Sequence, residues 1–389
     1  MNNPGIPLAH SDTGPCAEAL FVYRGGRKEL VPQIAGGEAP DEFLYGFPQV
    51  QAAIPSAGFI ESDGSGMLLR RIMKPFELLT ARFGFGLFVS SFLLNWEKIQ
   101  SARVMVATTD STGIPLLLLK RAGILSAKVV LISQGLHSLE DDLAHLPWAT
   151  WLTESLYRCL PHAAALVALG DGDEVAIRTN CSRVRLPEVI TIQFGIDENF
   201  WRPAAGADTG DGGFVLSVGS DRLRDYPTLV AAIGETPLKL VTRLDLPPEA
   251  ARPTIEKVSK LSWPELRSLY QQSRFVVTPV KDQPRDSGHS ATLQAMACGK
   301  AVILSDTAGM WDRENMKHGE TCWLVEPGNK AAMRDAIAHL WSHPEEAARI
   351  GANARRLLVE KYTSAGFGTH LAQVVQKHMG SPTTQGRLL

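Results

Sequence analysis

The chain has 389 residues, 44% hydrophobic and 21% charged, with a net charge of −2. That length exceeds what one core usually fills and points to two domains, while the near-neutral balance gives no bulk attraction for nucleic acid. No apolar run reaches the roughly 18–20 residues of a membrane span; the nearest, FGFGLFVSSFLLNW at 83–96, is broken by Gly and Ser.

The first residues, MNNPGIPLAHSDTGP, lack a basic start followed by an apolar run, so no secretory signal is expected. Short apolar runs at 19–23, 104–108, 129–133 and 166–169 alternate with helical patterns, and 183–194 closes this half. Runs of that kind, bounded by polar turns, predict parallel strands buried on both faces. RGGRKEL at 24–30 sets Gly25 and Gly26 at the carboxyl end of the first strand, either approaching a ligand or making a simple turn. In 67–96, Arg70, Arg71, Lys74 and Arg82 precede many apolar residues. This segment reads as a packed helix or as an amphipathic surface for peripheral membrane contact. ATTDSTGIP at 107–115 is a second strand-to-helix junction, where Asp110 caps the helix or binds a substrate hydroxyl. ISQGLHS at 132–138 is a third, carrying Gln134 and His137.

The Gly/Asp-rich stretch AAGADTGDGG at 204–213 has nothing to pack and reads as a linker. The pattern restarts with apolar runs at 214–218, 238–242, 275–279, 301–305 and 322–325. Helical periodicity follows at 330–340, 344–362 and 365–379. Cys16, Cys159, Cys181, Cys298 and Cys322 form no CxxC pair and read as reduced, mostly buried thiols of a cytoplasmic protein. The expected fold is α/β, with two tandem Rossmann-like doubly wound domains facing a central cleft. Its divisions are residues 1–204, residues 205–364, and a C-terminal helix in 365–389 that packs back on the first domain.

The most informative stretch is DSGHSATLQAMACGKAVILSDTAG at 286–309. A loop with Asp286, Ser287 and Gly288 leads from a strand into a helix beginning near His289. Gly288 lets the backbone approach a ligand, and the free N–H groups of His289, Ser290 and Ala291 sit at a positive helix end that suits a diphosphate. The hydroxyls of Ser290 and Thr292 add donors. Gln294, one turn after Ser290, shares its face and can bond a ribose diol. Taken alone, these residues also fit an ordinary strand-loop-helix with a capping serine.

This stretch resembles the signature of glycosyltransferase family 4 and its GT-B relatives, with AMACGKAVI at 295–303 and SDTAG at 305–309. FGIDENFWRP at 194–203, VGSDRLRDYPTL at 218–229, LSWPELRSLYQQSRFVVTP at 261–279 and HGETCWLVEPGN at 318–329 resemble further family blocks, in order. Asp286 and Gln294 stand where the family has the two glutamates of an E-x7-E motif, one near the donor sugar and one at the ribose. The resemblance implies a strand-end contact at Gly219 and Ser220, with the phosphate-binding lysine carried over to Arg224 and, more weakly, to Arg222. It also implies an active-site histidine near 132–138, for which His137 is the first choice.

The resemblance therefore implies a glycosyltransferase moving a hexose-type sugar from a nucleotide-diphosphate sugar to an acceptor hydroxyl, a lipid-linked one included, in glycan, glycolipid or glycosylated-metabolite biosynthesis. It also implies retention of configuration; the sequence shows no HExxH, cysteine cluster or paired-carboxylate metal motif, which fits a metal-independent transfer with no cofactor beyond the donor. His137, Asp286 and Arg224 are the catalytic candidates. Two other readings stand: a sugar-nucleotide 2-epimerase of the same fold, and a catalytically silent binding subunit. A Rossmann oxidoreductase is disfavoured because no GxGxxG follows the first strand.

Overall fold

The computed structural model describes residues 17–61, 71–72, 74–75, 92, 94–136, 147–204, 213–284 and 286–380. His137, Cys16, most of 67–96 and most of the 204–213 linker lie outside the described residues.

The first half contains β1 (Ala19–Val22), α1 (Arg27–Ala35), α2 (Phe47–Ala53), β2 (Gly58–Ile60), α3 (Trp96–Ser101) and β3 (Val104–Ala107). It continues with α4 (Asp110–Arg121), β4 (Lys128–Ile132), α5 (Ala149–Tyr157), β5 (Ala165–Ala168), α6 (Asp171–Asn180) and β6 (Glu188–Thr191). The strands form one parallel sheet in the order β2-β1-β3-β4-β5-β6. The second half holds β7 (Val215–Val218), α7 (Tyr226–Ala232), β8 (Leu238–Val241), β9 (Ile255–Val258), α8 (Trp263–Gln272) and β10 (Val276–Thr278). Then come α9 (His289–Ala297), β11 (Val302–Ser305), β12 (Trp323–Val325), α10 (Lys330–Ser342), α11 (Pro344–Lys361) and α12 (Ser364–Met379). Its sheet is also parallel, in the order β12-β11-β10-β7-β8-β9. The strand order reverses at β1/β3 and at β7/β10, and the loops leaving such switch points are where doubly wound sheets bind ligands.

The apolar runs became strands because both faces of each sheet are covered. VMVA of β3 and VVLI within β4 are wholly buried. Sequence reasoning missed β2 and β9. β2 is only three residues, GFI, and β9 is an edge strand, IEKV, whose central Glu256 and Lys257 are exposed. Helix α8 starts at a capping box in which Ser262 and Glu265 satisfy each other's backbone donors.

One apolar cluster runs through both halves, joining Phe21, Phe47 and Val106 to Trp201, Tyr270, Leu293 and Trp311. Trp201 is fully buried and meets Tyr270 edge-on with ring centroids 5.6 Å apart. Truncating a side chain so placed costs on the order of 3–5 kcal/mol. The chain crosses between the halves twice, and the crossings are hydrogen-bonded: Ile196 N–H donates to Tyr362 O (2.8 Å) and Ser364 N–H to Ile196 O (2.9 Å). A Cβ on Gly195 would lie 2.0 Å from the Thr363 carbonyl oxygen, so no larger residue fits this seam. Helix α12 then lies against α2, β3 and β4, with Gly46 facing Gly368 at the closest point.

A buried carboxyl ties these parts together. Glu42, in a short 3-10 turn before α2, accepts from the Trp201 indole (2.8 Å) and the Gln294 amide (3.3 Å) through Oε1, and from Asp197 N–H (3.3 Å) through Oε2. Burial pushes its pKa up to about 8 despite the opposing indole bond, and burial followed by the Asp197 charge raises the neighbouring Asp41 as well. The native state therefore keeps the Glu42 proton up to about pH 8, whereas the unfolded chain releases it near 4.5. Between those values the folded protein binds more protons than the unfolded one, so stability falls as pH rises. Glu42→Gln should reduce the drop in melting temperature between pH 5 and pH 8, measured by thermal denaturation; an unchanged drop would show that Glu42 titrates normally.

Candidate functional site

The site is built where β7 and β10 end. After β7 the chain turns through Gly219 and Ser220 into a loop closed by Asp221, whose Oδ1 accepts from Leu223 N–H (2.8 Å) and whose carbonyl accepts from Arg224 N–H (3.0 Å). Asp225 caps α7 by accepting from Thr228 N–H (3.2 Å). A bridge from Arg224 to Val280, with Asp225 N–H bonded to Pro279 O (3.1 Å), fixes this loop against the exit of β10. The Arg224 side chain is thereby held between two glycines. A Cβ on Gly219 would lie 2.2 Å from its Nε, and one on Gly288 would lie 2.7 Å from its Nη1.

Arg224 is 6% exposed, and its Nε and Nη1 are buried with no hydrogen-bond partner among the described residues. A guanidinium left this way is costly unless an anion completes it. Immediately beside it α9 begins at Gly288, which is left-handed (φ 86°) and provides no side-chain cap. The first N–H groups of α9 and the positive end of its dipole therefore face the same space as Arg224.

Two cavities meet there. The larger, about 1100 Å³, runs between Gly26 and Arg27 of the first half and Gly219, Arg224, Trp263 and Ser290 of the second. The smaller, about 210 Å³, lies between Tyr45, Gln134 and Asp173 of the first half and Asp286, Gly288 and His289 of the second. Ser290 lines both.

Of the residues singled out in the sequence, Gly26, Gly219, Ser220, Arg224, Ser290, Ala291 and Gln294 line the larger cavity. Asp286, Gly288, His289 and Ser290 line the smaller one. Gly25 lines neither; its carbonyl accepts from Arg27 Nη1 (2.8 Å) in the turn before α1. Arg222 projects from the exposed side of its loop and also lines neither cavity.

Thr292 requires a correction. Its side chain is fully buried and its hydroxyl lies against that of Thr278 (3.2 Å), so it joins α9 to the sheet and offers no donor to the cleft. Gln294 faces the cleft with its amide largely committed: Oε1 accepts from Tyr270 Oη (3.2 Å), and Nε2 donates to Glu42. Its second N–H and the second lone pair of Oε1 remain for a ligand. Asp286 is not a free acid either, being paired through Oδ2 with His289 Nδ1 at 2.8 Å. Asp110 Oδ2 accepts from Gln134 N–H (3.0 Å), which ties the start of α4 to the loop after β4.

Sequence reasoning missed Glu42, Tyr45 and the imidazole of His289. Only the last had a local signal, the three-residue spacing from Asp286 across a helix start. The others reach the site through contacts distant in sequence.

Residues 222–343 match the family model described as glycosyl transferases group 1. Over 143 residues the chain is 29% identical to the D-rhamnosyltransferase WbpZ of Pseudomonas aeruginosa. That match covers 36% of this chain and 35% of the relative, so it spans about a third of that protein's length. Among solved structures, the sucrose-phosphate synthase of Thermosynechococcus elongatus superposes with a TM-score of 0.65 at 17% identity, covering 92% of this chain and 98% of the other. Anabaena HepE in complex with UDP-glucose gives a TM-score of 0.65 at 14% identity, with coverages of 92% and 99%. The fold is GT-B.

Gly288→Ala should fill the cradle, because the new Cβ would meet Thr278 Cγ2 at 2.5 Å as well as Arg224. Gly299→Ala is the control: Gly299 is also left-handed (φ 74°), and its nearest contact would be Pro203 Cγ at 3.5 Å. Both variants should lose about 1–2 kcal/mol to backbone strain, but only Gly288→Ala should lose nucleoside-diphosphate binding in calorimetry. Equal binding by the two would refute the cradle.

Proposed function

We propose that this chain is a glycosyltransferase that moves a hexose-type sugar from a nucleotide-diphosphate sugar to an acceptor hydroxyl, with retention of configuration and without a metal ion. The observation that carries this reading is the buried guanidinium of Arg224 between Gly219 and Gly288, at the N-terminus of α9, whose Nε and Nη1 have no partner among the described residues. The diphosphate would lie on Arg224, Ser290 and the first N–H groups of α9. Its nucleoside would extend into the larger cavity, toward Trp263 and the remaining N–H of Gln294. The transferred sugar would enter the smaller cavity beside Asp286 and His289.

In this scheme the bond between the anomeric carbon and the phosphate oxygen breaks, and its electron pair leaves with the diphosphate. Arg224 and the helix amides stabilise that charge as it develops. The acceptor oxygen bonds to the anomeric carbon on the same face, and its proton passes to the departing phosphate oxygen, so no enzymic nucleophile is needed. Residues 1–204 would serve the acceptor, residues 205–364 the donor, and 365–389 would return to brace the first part. His137 stays a candidate for a contact to the sugar. A lipid-linked acceptor met through peripheral membrane contact at 67–96 fits the basic and apolar residues of that segment. No helix among the described residues is long and apolar enough to cross a membrane.

Arg224→Ala tests the reading. A charge-assisted hydrogen bond contributes roughly 1.5–3 kcal/mol, so UDP or GDP should bind roughly tenfold to a hundredfold more weakly by calorimetry. Sugar transfer from a donor panel, followed by mass detection of product, should fall with it. Since Nε and Nη1 have no hydrogen-bond partner among the described residues, the ligand-free variant should melt close to the wild type. Unchanged nucleotide affinity would sink the assignment.

A further inference from the structure

The smaller cavity carries a feature that the family signature does not anticipate. His289 is pinned on three sides. Its Nδ1 lies 2.8 Å from Asp286 Oδ2, with both side chains 9% exposed. The ring stacks on Trp311 with centroids 4.4 Å apart and planes inclined by 19°. Phe194 meets it edge-on at 5.7 Å. Trp311 is held in turn, because its carbonyl accepts from Asp171 N–H (2.7 Å) and its backbone packs against Gly170, where no Cβ would fit.

A carboxylate on Nδ1 fixes the tautomer. The Nδ1 proton faces Asp286, which leaves Nε2 as the ring atom free to bond a ligand. That Nε2 is buried and has no hydrogen-bond partner among the described residues, and the same is true of Ser287 Oγ on the same wall. Opposite them stand Tyr45, Gln134 and Asp173. A buried ring nitrogen without a partner in a polar recess calls for a hydroxyl, which can donate or accept. The recess adjoins Gly288 and Ser290, one step from the Arg224 cradle.

We propose that His289, oriented by Asp286, reads a hydroxyl of the transferred sugar through Nε2, and that Asp286 acts on the sugar only through this ring. The proposal rests on the glycosyltransferase reading and assigns the roles within it. Asp286 is a positioning residue, and His289 is the group that touches the substrate. The aspartate, one methylene shorter than glutamate, suits that task because it reaches the helix-borne imidazole three residues on.

A double-mutant cycle on the whole protein tests this, using calorimetry with UDP against UDP-glucose and GDP against GDP-mannose. The quantity read is the affinity gained when the sugar is attached to the diphosphate. Asp286→Asn and His289→Ala should each reduce that gain by roughly fivefold to tenfold, the worth of one hydrogen bond. The double variant should lose no more than either single one, and affinity for UDP and GDP alone should stay unchanged throughout. His289→Gln, whose amide oxygen reaches toward the Nε2 position, keeps the site filled and should recover part of the gain.

If Asp286 touches the sugar directly, His289→Ala will retain the gain, or the two losses will add, and either result overturns the proposal. Equal loss of UDP and UDP-glucose binding also overturns it, because the pair would then only shape the helix start. Absence of any diphosphate binding by the wild-type protein would overturn the glycosyltransferase reading itself.

Discussion

A buried carboxyl is the polar centre of the contact between the two halves. Glu42 comes from the loop before α2, yet its oxygens accept from an indole on the first crossing segment, an amide on α9 and a backbone N–H at Asp197. In a region of low dielectric these bonds strengthen one another, and none can loosen without leaving a polar atom unpaired. Through Gln294 this contact ties α9 directly to the loop before α2.

Glu42 also gives a physical reason for the glutamine at 294. A glutamate there would set a second buried carboxyl against Glu42, which holds its proton up to about pH 8, and would have no N–H to offer Oε1. The amide donates instead, and positions 42 and 294 are coupled through that bond.

What the sequence made legible follows from which features are local. Strands with both faces buried announce themselves as apolar runs, and the loop from β10 into α9 was readable from its glycine, its hydroxyls and its family text. Short or edge strands such as β2 and β9 carry no such run. Thr292 was misread although the spacing contained the answer: two residues beyond Ser290 is roughly 200° around a helix, on the opposite face. Arg224 could be proposed from resemblance, but its confinement between Gly219 and Gly288 joins three segments and shows only in the fold. The same holds for Glu42, which has no neighbouring motif to mark it.

The seam at Ile196 and Thr363 bears on how the protein moves. Both connections between the halves pass through one short bridged pair, with Gly195 leaving no slack against the second strand. Two ropes lashed together at one point allow a swing about the lashing and little sliding along it. Any relative motion of the halves that leaves this pair intact is confined to rotation about it.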